Sequence, residues 1–237
     1  TVIYNFRQND LNSGGRGAPL SPIFHKLLVK QNKINLPVII LNIGGIANVT
    51  CIDIENTIYS MDIGPGNCLI DQWIRFNTRN KNKYDKNGVT AQSGKINKKI
   101  LIKALDNWQS RATVKSYDVK DFDLSFVNNL SLEDGAATLT EYTSEILYRQ
   151  LHFSGCSLKA TVIVSGGGRK NIFLLDSIEK KINKPIKLID DFEIDGDYVE
   201  SQAFAYLAIR SYLKLPISFP ETTGVKKPCL GGTIFKI

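Results

Sequence analysis

The chain has 237 residues, 43% of them hydrophobic and 22% charged, with 30 Lys and Arg against 23 Asp and Glu for a net charge of +7. This excludes a disordered or collagen-like chain and is long enough to bury a core in one large domain or two small ones. The lysines are scattered, and the densest stretch, residues 81–103, is broken by Asn, Asp85 and Gly without interleaved aromatics, so no nucleic-acid partner is expected.

No run reaches the roughly 18 uncharged apolar residues of a membrane span, and the opening TVIYNFRQND lacks the basic-then-apolar order of a secretory signal. We therefore expect no membrane partner and a cytoplasmic chain. Cys51, Cys68, Cys156 and Cys229 lie far apart without a CxxC pair, which predicts reduced, mostly buried thiols rather than a zinc site or a disulfide framework. The chain opens with Thr and enters an apolar segment at once, as one cut from something longer would.

Residues 1–4 have strand character with no evident neighbour, so an exposed edge is expected there. Residues 5–19 form a polar, glycine-rich loop and residues 21–30 a short helix. Residues 37–43 are a continuous apolar run of strand length, Gly44-Gly45 a turn, and residues 47–54 and 57–63 two β-branched strands joined at Glu55-Asn56. Three adjacent strands with short turns predict an antiparallel meander. Residues 64–67 then open a helix in which Leu69, Ile70, Trp73 and Ile74 recur at helical spacing, with Trp73 packed and Asp71 on the solvated side.

The middle, about residues 77–153, is polar or helical and reads as a helical insertion, with an amphipathic helix over 132–151 begun by Glu133 and Asp134. Residues 159–165 are another buried strand, followed by a helix over 170–181 with Ile172, Leu175 and Ile178 on one side. Residues 185–189 are the last strand, and 199–213 a helix with Phe204, Leu207, Ala208 and Leu213 inward. The order predicts an α/β layer fold in which antiparallel strands edge an otherwise parallel sheet.

Glycine-rich turns follow three of these strands, at residues 42–48, 62–67 and 165–171. Glycine admits positive φ and a close backbone approach, and bared N–H groups at such turns attract phosphate. Three turns converging on one sheet edge favour a nucleotide cleft. Neither GxxxxGK[ST] nor GxGxxG occurs, so P-loop and dinucleotide readings lose support. His25 and His152 have no Ser or Cys partner placed by a motif, so neither a triad nor a metal site is expected.

The strand and helix order resembles one half of an actin-like ATPase. More specifically, GGRGAPLSPIFH, NIGGIANVT, MDIGPGNCLIDQW, VSGGGRKN, GDYVESQAFAYLAIR and FPETTGVKKPCLGG together resemble the anhydro-N-acetylmuramic acid kinase family, from near residue 5 to near residue 232. The resemblance implies a C-terminal actin-like ATPase (ribonuclease H-like) domain with a mixed sheet flanked by helices. Residues 1–30 would be a remnant strand, sugar-site loop and short helix from the domain junction, and residues 31–237 the domain itself. It implies an ATP-dependent kinase that opens the 1,6-anhydro ring of anhydro-N-acetylmuramate with water and phosphorylates O6, in peptidoglycan recycling. Mg2+ would be carried by ATP rather than by a protein metal site. A separate N-terminal half and a second copy of the chain stand as open partner expectations.

Carried over by position, Asp62 matches the carboxylate that takes a proton from the attacking water; an ordinary carboxylate is ionised at neutral pH and can serve as it stands. Gly44, Gly45, Asn48 and Gly64 match phosphate-side positions, and Gly166, Gly167, Gly168 and Asn171 the turn that holds adenosine. Asn5, Arg7, Gly17 and Glu200 are placed with the sugar.

The departures matter as well. The family's N-terminal half, with an MSGTSLDG-like first phosphate loop, has no counterpart in these residues. Asn5 stands where the family usually shows Asp, Arg16 where it shows Gln, and Val119 where one branch carries Arg. A non-catalytic or decayed fragment, or another sugar kinase of the superfamily, therefore remains an alternative.

Overall fold

A computed structural model describes residues 1–109, 117–157 and 159–236. In chain order the elements are β1 (Val2–Tyr4), α1 (Gln8–Asn12), α2 (Pro22–Gln31), β2 (Val38–Ile43), β3 (Ile46–Ile52), β4 (Ile58–Pro65) and α3 (Cys68–Asn77). There follow α4 (Val89–Ser93), α5 (Lys98–Gln109), α6 (Leu132–Phe153), β5 (Thr161–Ser165), α7 (Ile172–Ile182), β6 (Lys187–Leu188), α8 (Val199–Tyr212), α9 (Pro220–Thr223) and β7 (Thr233–Phe235).

The apolar run VIILNI becomes the middle strand because both its faces are covered and both its edges paired. The sheet order is β4-β3-β2-β5-β6, antiparallel among β2, β3 and β4 and parallel from β2 through β5 to β6. Alternation along the strands then sorts the side chains into two layers. Ile39, Leu41, Val49, Val162 and Val164 pack against Leu147 and Leu151 of α6 and Leu174 and Ile178 of α7. On the opposite face Val38, Ile40, Ile52 and Ile163 pack against Phe24 and Leu28 of α2 and Val199 and Ala203 of α8. A further cluster joins Trp73 of α3 and Trp108 of α5 to Leu139 and Ile146 of α6. No described helix is long and apolar enough to cross a membrane.

Four expectations are corrected. Residues 1–4 do have a partner: β1 pairs antiparallel with β7, Val2 opposite Phe235, because the tail returns across the chain. The inner face of α8 is Val199, Ala203, Leu207 and Ser211, while Phe204 and Leu213 are exposed. Apolar residues surround that helix, so spacing alone did not choose a face, and the small Ala203 and Ser211 allow the closer approach. In α7 the buried positions are Leu174 and Ile178, with Ile172 exposed. Cysteine spacing also misled: Cys51 on β3 and Cys156 after α6 are joined as a disulfide with Cα atoms 5.8 Å apart, within the usual range. Cys68 and Cys229 are free.

Trp73 is the core residue expected, 1% exposed, with Nε1 donating to the Leu132 carbonyl at 2.8 Å. Its ring lies so close to α6 that a Cβ on Gly135 would stand 2.3 Å from it. Glycine to alanine normally favours a helix by up to about 1 kcal/mol. Here the sign should reverse: Gly135→Ala is expected to destabilise the chain by about 1–3 kcal/mol through overpacking, read as a lower urea midpoint at unchanged slope.

Candidate active site

β2, β4 and β5 all run the same way, so their carboxyl ends meet at one edge, and the glycine turns after them touch through backbone. Gly66 N donates to Gly45 O at 2.9 Å and Asn67 N to Gly44 O at 2.7 Å, while Asn67 Nδ2 donates to Ile43 O at 3.2 Å. A Cβ on Gly66 would lie 2.2 Å from Gly44 O, and one on Gly166, at φ +79°, 2.7 Å from Ile43 O. No other residue type fits those two positions without moving backbone.

Above this edge opens a cavity of about 590 Å³. Asp62, Asn48, Gly44, Gly45, Gly166 and Gly167 border it, as do Arg7 and Glu200 from the flanking segments. A Cβ on Gly45 would meet nothing within 4 Å and one on Gly167 only Asn67 Nδ2 at 3.8 Å, so bare backbone meets the cavity there. Asp62 is half-buried, and its Oδ2 accepts the Tyr117 N–H at 3.3 Å.

Other sequence-derived positions lie behind the wall. The space where Gly64 would carry a side chain is filled by Ile146, and Gly168 is pressed against Ile43. Asn171 caps α7, its Oδ1 accepting the Leu174 N–H at 3.0 Å. Asn5 is exposed in the left-handed region at φ 58°, and Gly17, at φ +73°, is buried; neither borders the cavity. The substituted positions Arg16 and Val119 do border it.

Two clamps at the rim were not legible in the sequence. Asp10 is buried, accepting Gly17 N–H at 2.6 Å and the Thr223 hydroxyl at 2.5 Å, so one carboxylate closes the glycine loop onto the TTG tail. Arg16 adds a bond from Nη2 to Thr222 O at 2.8 Å. Arg169, 5% exposed, donates to Asp190 at 2.7 Å, to Asp197 at 2.8 Å and to Gly166 O at 3.2 Å. Burial works against its charge, but the bonds to Asp190 and Asp197 outweigh burial and raise its pKa. Both clamps join residues remote in sequence, Asp10 with Thr223 and Arg169 with Asp197, which no local pattern relates.

His25 of α2 also borders the cavity, its Nδ1 2.8 Å from Thr50 Oγ1, and burial lowers its pKa to about 4. Asp71 departs from its expected solvated place. It is half-buried, and burial pushes its pKa up to about 6, opposed by Arg75 and assisted by Asp85.

The mixed sheet, its two helical layers and the glycine turns at one edge define an α/β domain of the actin-like ATPase type. In agreement, the activator of 2-hydroxyisocaproyl-CoA dehydratase from Clostridium difficile superposes with a TM-score of 0.51 at 15% identity, over 80% of this chain and 66% of that one. The family profile for anhydro-N-acetylmuramic acid kinase matches residues 1–237. Kinases of that name from Pelagibacter ubique (strain HTCC1062) and Zymomonas mobilis subsp. mobilis are 53% and 40% identical over 99% and 100% of the chain. The chain belongs to the anhydro-N-acetylmuramic acid kinase family and spans 64% of the length of these two relatives.

His25 supplies a pH test. Its folded pKa of about 4 lies below the unfolded value of 6.5, so the unfolded chain binds the proton more readily. The His25 contribution to stability should be complete above pH 6.5 and be lost toward pH 4, by roughly 3 kcal/mol, while Asp71, whose raised pKa favours the folded chain at low pH, acts in the opposite sense over the same window. The difference in stability between wild type and His25→Gln, measured by chemical denaturation, should therefore shift by that amount between pH 6.5 and pH 4, the wild type losing ground as the pH falls.

Proposed function

We propose that this chain is the C-terminal part of an anhydro-N-acetylmuramic acid kinase, with residues 1–30 at the domain junction and 31–237 as the ATPase domain carrying the helical insertion of about residues 77–153. The substrates would be anhydro-N-acetylmuramate, water and ATP, and the product N-acetylmuramate 6-phosphate. What carries the reading is one cavity onto which the Asp62 carboxylate and the side-chain-free turns at Gly44-Gly45 and Gly166-Gly167 all open. Nucleotide use is supported by the Clostridium difficile activator, whose structure is described as having bound ADPNP.

In this reading Asp62 takes a proton from water, whose oxygen bonds to the anomeric carbon as the anhydro C–O bond opens, and O6 accepts the phosphoryl group. The turns let phosphates approach backbone, and Arg7 and Glu200 border the sugar side. Among the described residues no three His, Cys, Asp or Glu side chains gather as a metal site. Mg2+ is assigned to the nucleotide's phosphates, whose charge it would neutralise.

Phosphoryl transfer depends on charge stabilisation and closure around the phosphates. The relatives have a further third of their length with which to supply a second wall. Residues 1–237 alone should therefore form no detectable sugar phosphate by mass spectrometry. Adding a polypeptide with the MSGTSLDG-type half should restore it. Turnover by the chain alone would refute the two-wall argument, and a pair that stays inactive would point to Asn5 and Val119 as damaging.

With that pair, Asp62→Asn should lower kcat at least about 100-fold while nucleotide affinity holds, since proton abstraction belongs to the transition state. A loss below about tenfold would make Asp62 a structural residue.

A further inference from the structure

Asp62, Asn48, Asn42 and Ser165 stand in a single row across four strands. Asn48 is in register with Asp62 on one side and with Asn42 on the other, and Asn42 is in register with Ser165 across the parallel junction. Residues directly opposite share a face of the sheet with Cβ atoms ~5 Å apart, and all four border the cavity. Two positions back on the same face stand Thr50, Ile40 and Ile163, all buried, so this row is where that face turns from core to site. The ladder slips immediately beyond it: Ala47 faces Gly64, leaving Ile63 without an opposite number. A bulge of this kind ends regular pairing and re-aims the strand.

Within the row Asn48 Oδ1 and Ser165 Oγ are buried with no hydrogen-bond partner, a condition that costs about 1–3 kcal/mol per group unless a ligand relieves it. The two differ in surroundings. Ser165 leads directly into the glycine turn at Gly166, whereas Asn48 stands beside the Asp62 carboxylate. An acceptor oxygen next to a carboxylate repels phosphate oxygens and suits a hydroxylic group. A nucleophilic water has two hydrogens: one goes to the base, and the other needs a second acceptor if the lone pair is to be aimed.

We propose that Asn48 Oδ1 accepts the second hydrogen of the water that Asp62 deprotonates, so that Asn48 serves the sugar half of the reaction instead of the nucleotide. The proposal rests on the reaction set out above. One proton passes to Asp62, the water oxygen bonds to the anomeric carbon, and the anhydro C–O bond breaks. Its electron pair stays on O6, which bonds to the γ-phosphorus as ADP leaves.

Asn48→Ala and Asn48→Asp test it, assayed for kcat and both KM values in the chain combined with the MSGTSLDG-type half, with ADPNP affinity of the same pair read by calorimetry. Asn48→Ala should lower kcat ~100-fold, the scale of one lost transition-state hydrogen bond, with ADPNP affinity within about twofold of wild type. Asn48→Asp keeps an acceptor oxygen and should retain about tenfold more activity than the alanine variant. The order inverts if the amide nitrogen faces an anionic phosphate, because a carboxylate there would repel it. That inversion, or a tenfold loss of ADPNP affinity in Asn48→Ala, would overturn the proposal, as would kcat losses that simply track a lowered Tm. A wild-type pair that makes no product would fail the proposed activity for this chain, with Asn5 and Val119 as the damaging positions, while the ADPNP affinities would still decide which half of the cavity Asn48 serves.

Discussion

The close passage of the Gly44-Gly45 and Gly66 backbones is the contact on which the rest of the site depends. Gly66 N to Gly45 O at 2.9 Å and Asn67 N to Gly44 O at 2.7 Å tie the hairpin after β2 to the turn after β4. That bond pair fixes the start of α3, and α3 in turn seats Trp73 against α6. Asp62, the last residue of β4 before the register shift, stands level with Asn48. Core packing on one side of the sheet and chemistry on its edge thus share a single geometric requirement, met by residues without side chains.

The walls above that edge are held differently from its floor. The floor is a hydrogen-bonded ladder, but the walls come from segments far apart in sequence and need charged clamps. Asp10 binds the nearby Gly17 and, 213 residues on, Thr223, and Arg169 gathers Gly166, Asp190 and Asp197. Each clamp is a buried or nearly buried charge satisfied by several partners, which is the condition under which burial of a charge is tolerated. Asp197 lies two residues before α8, which carries Glu200, so the second clamp links the glycine turn to the cavity's far rim.

The substituted positions fall on this frame unevenly. Arg16 is absorbed into the first clamp through Thr222 O. Val119 borders the cavity and places an apolar side chain on its rim, while Asn5 lies outside it in a left-handed turn that asparagine tolerates. The charge excess of the sequence is not concentrated at the cavity, whose border balances Arg7, Arg16 and Arg169 against Asp62, Asp197 and Glu200.

Local pattern sufficed for the strands at β2 to β5, for α2, α3, α6 and α8, and for the sheet's mixed character, because apolar runs and glycine turns are short-range signals. The glycine turns were legible for the same reason, whereas Asp62 was singled out through the family resemblance. Tertiary structure alone decided that β1 pairs with β7, that α8 turns Ala203 and Ser211 inward, that Cys51 meets Cys156, and that Asp10 and Arg169 close the rim. It also decided which glycines face the cavity and which, like Gly64 and Gly168, face Ile146 and Ile43. Each of these joins residues that no periodicity relates, and a contact between distant segments is specified only when the packed sheet has brought their backbones within reach.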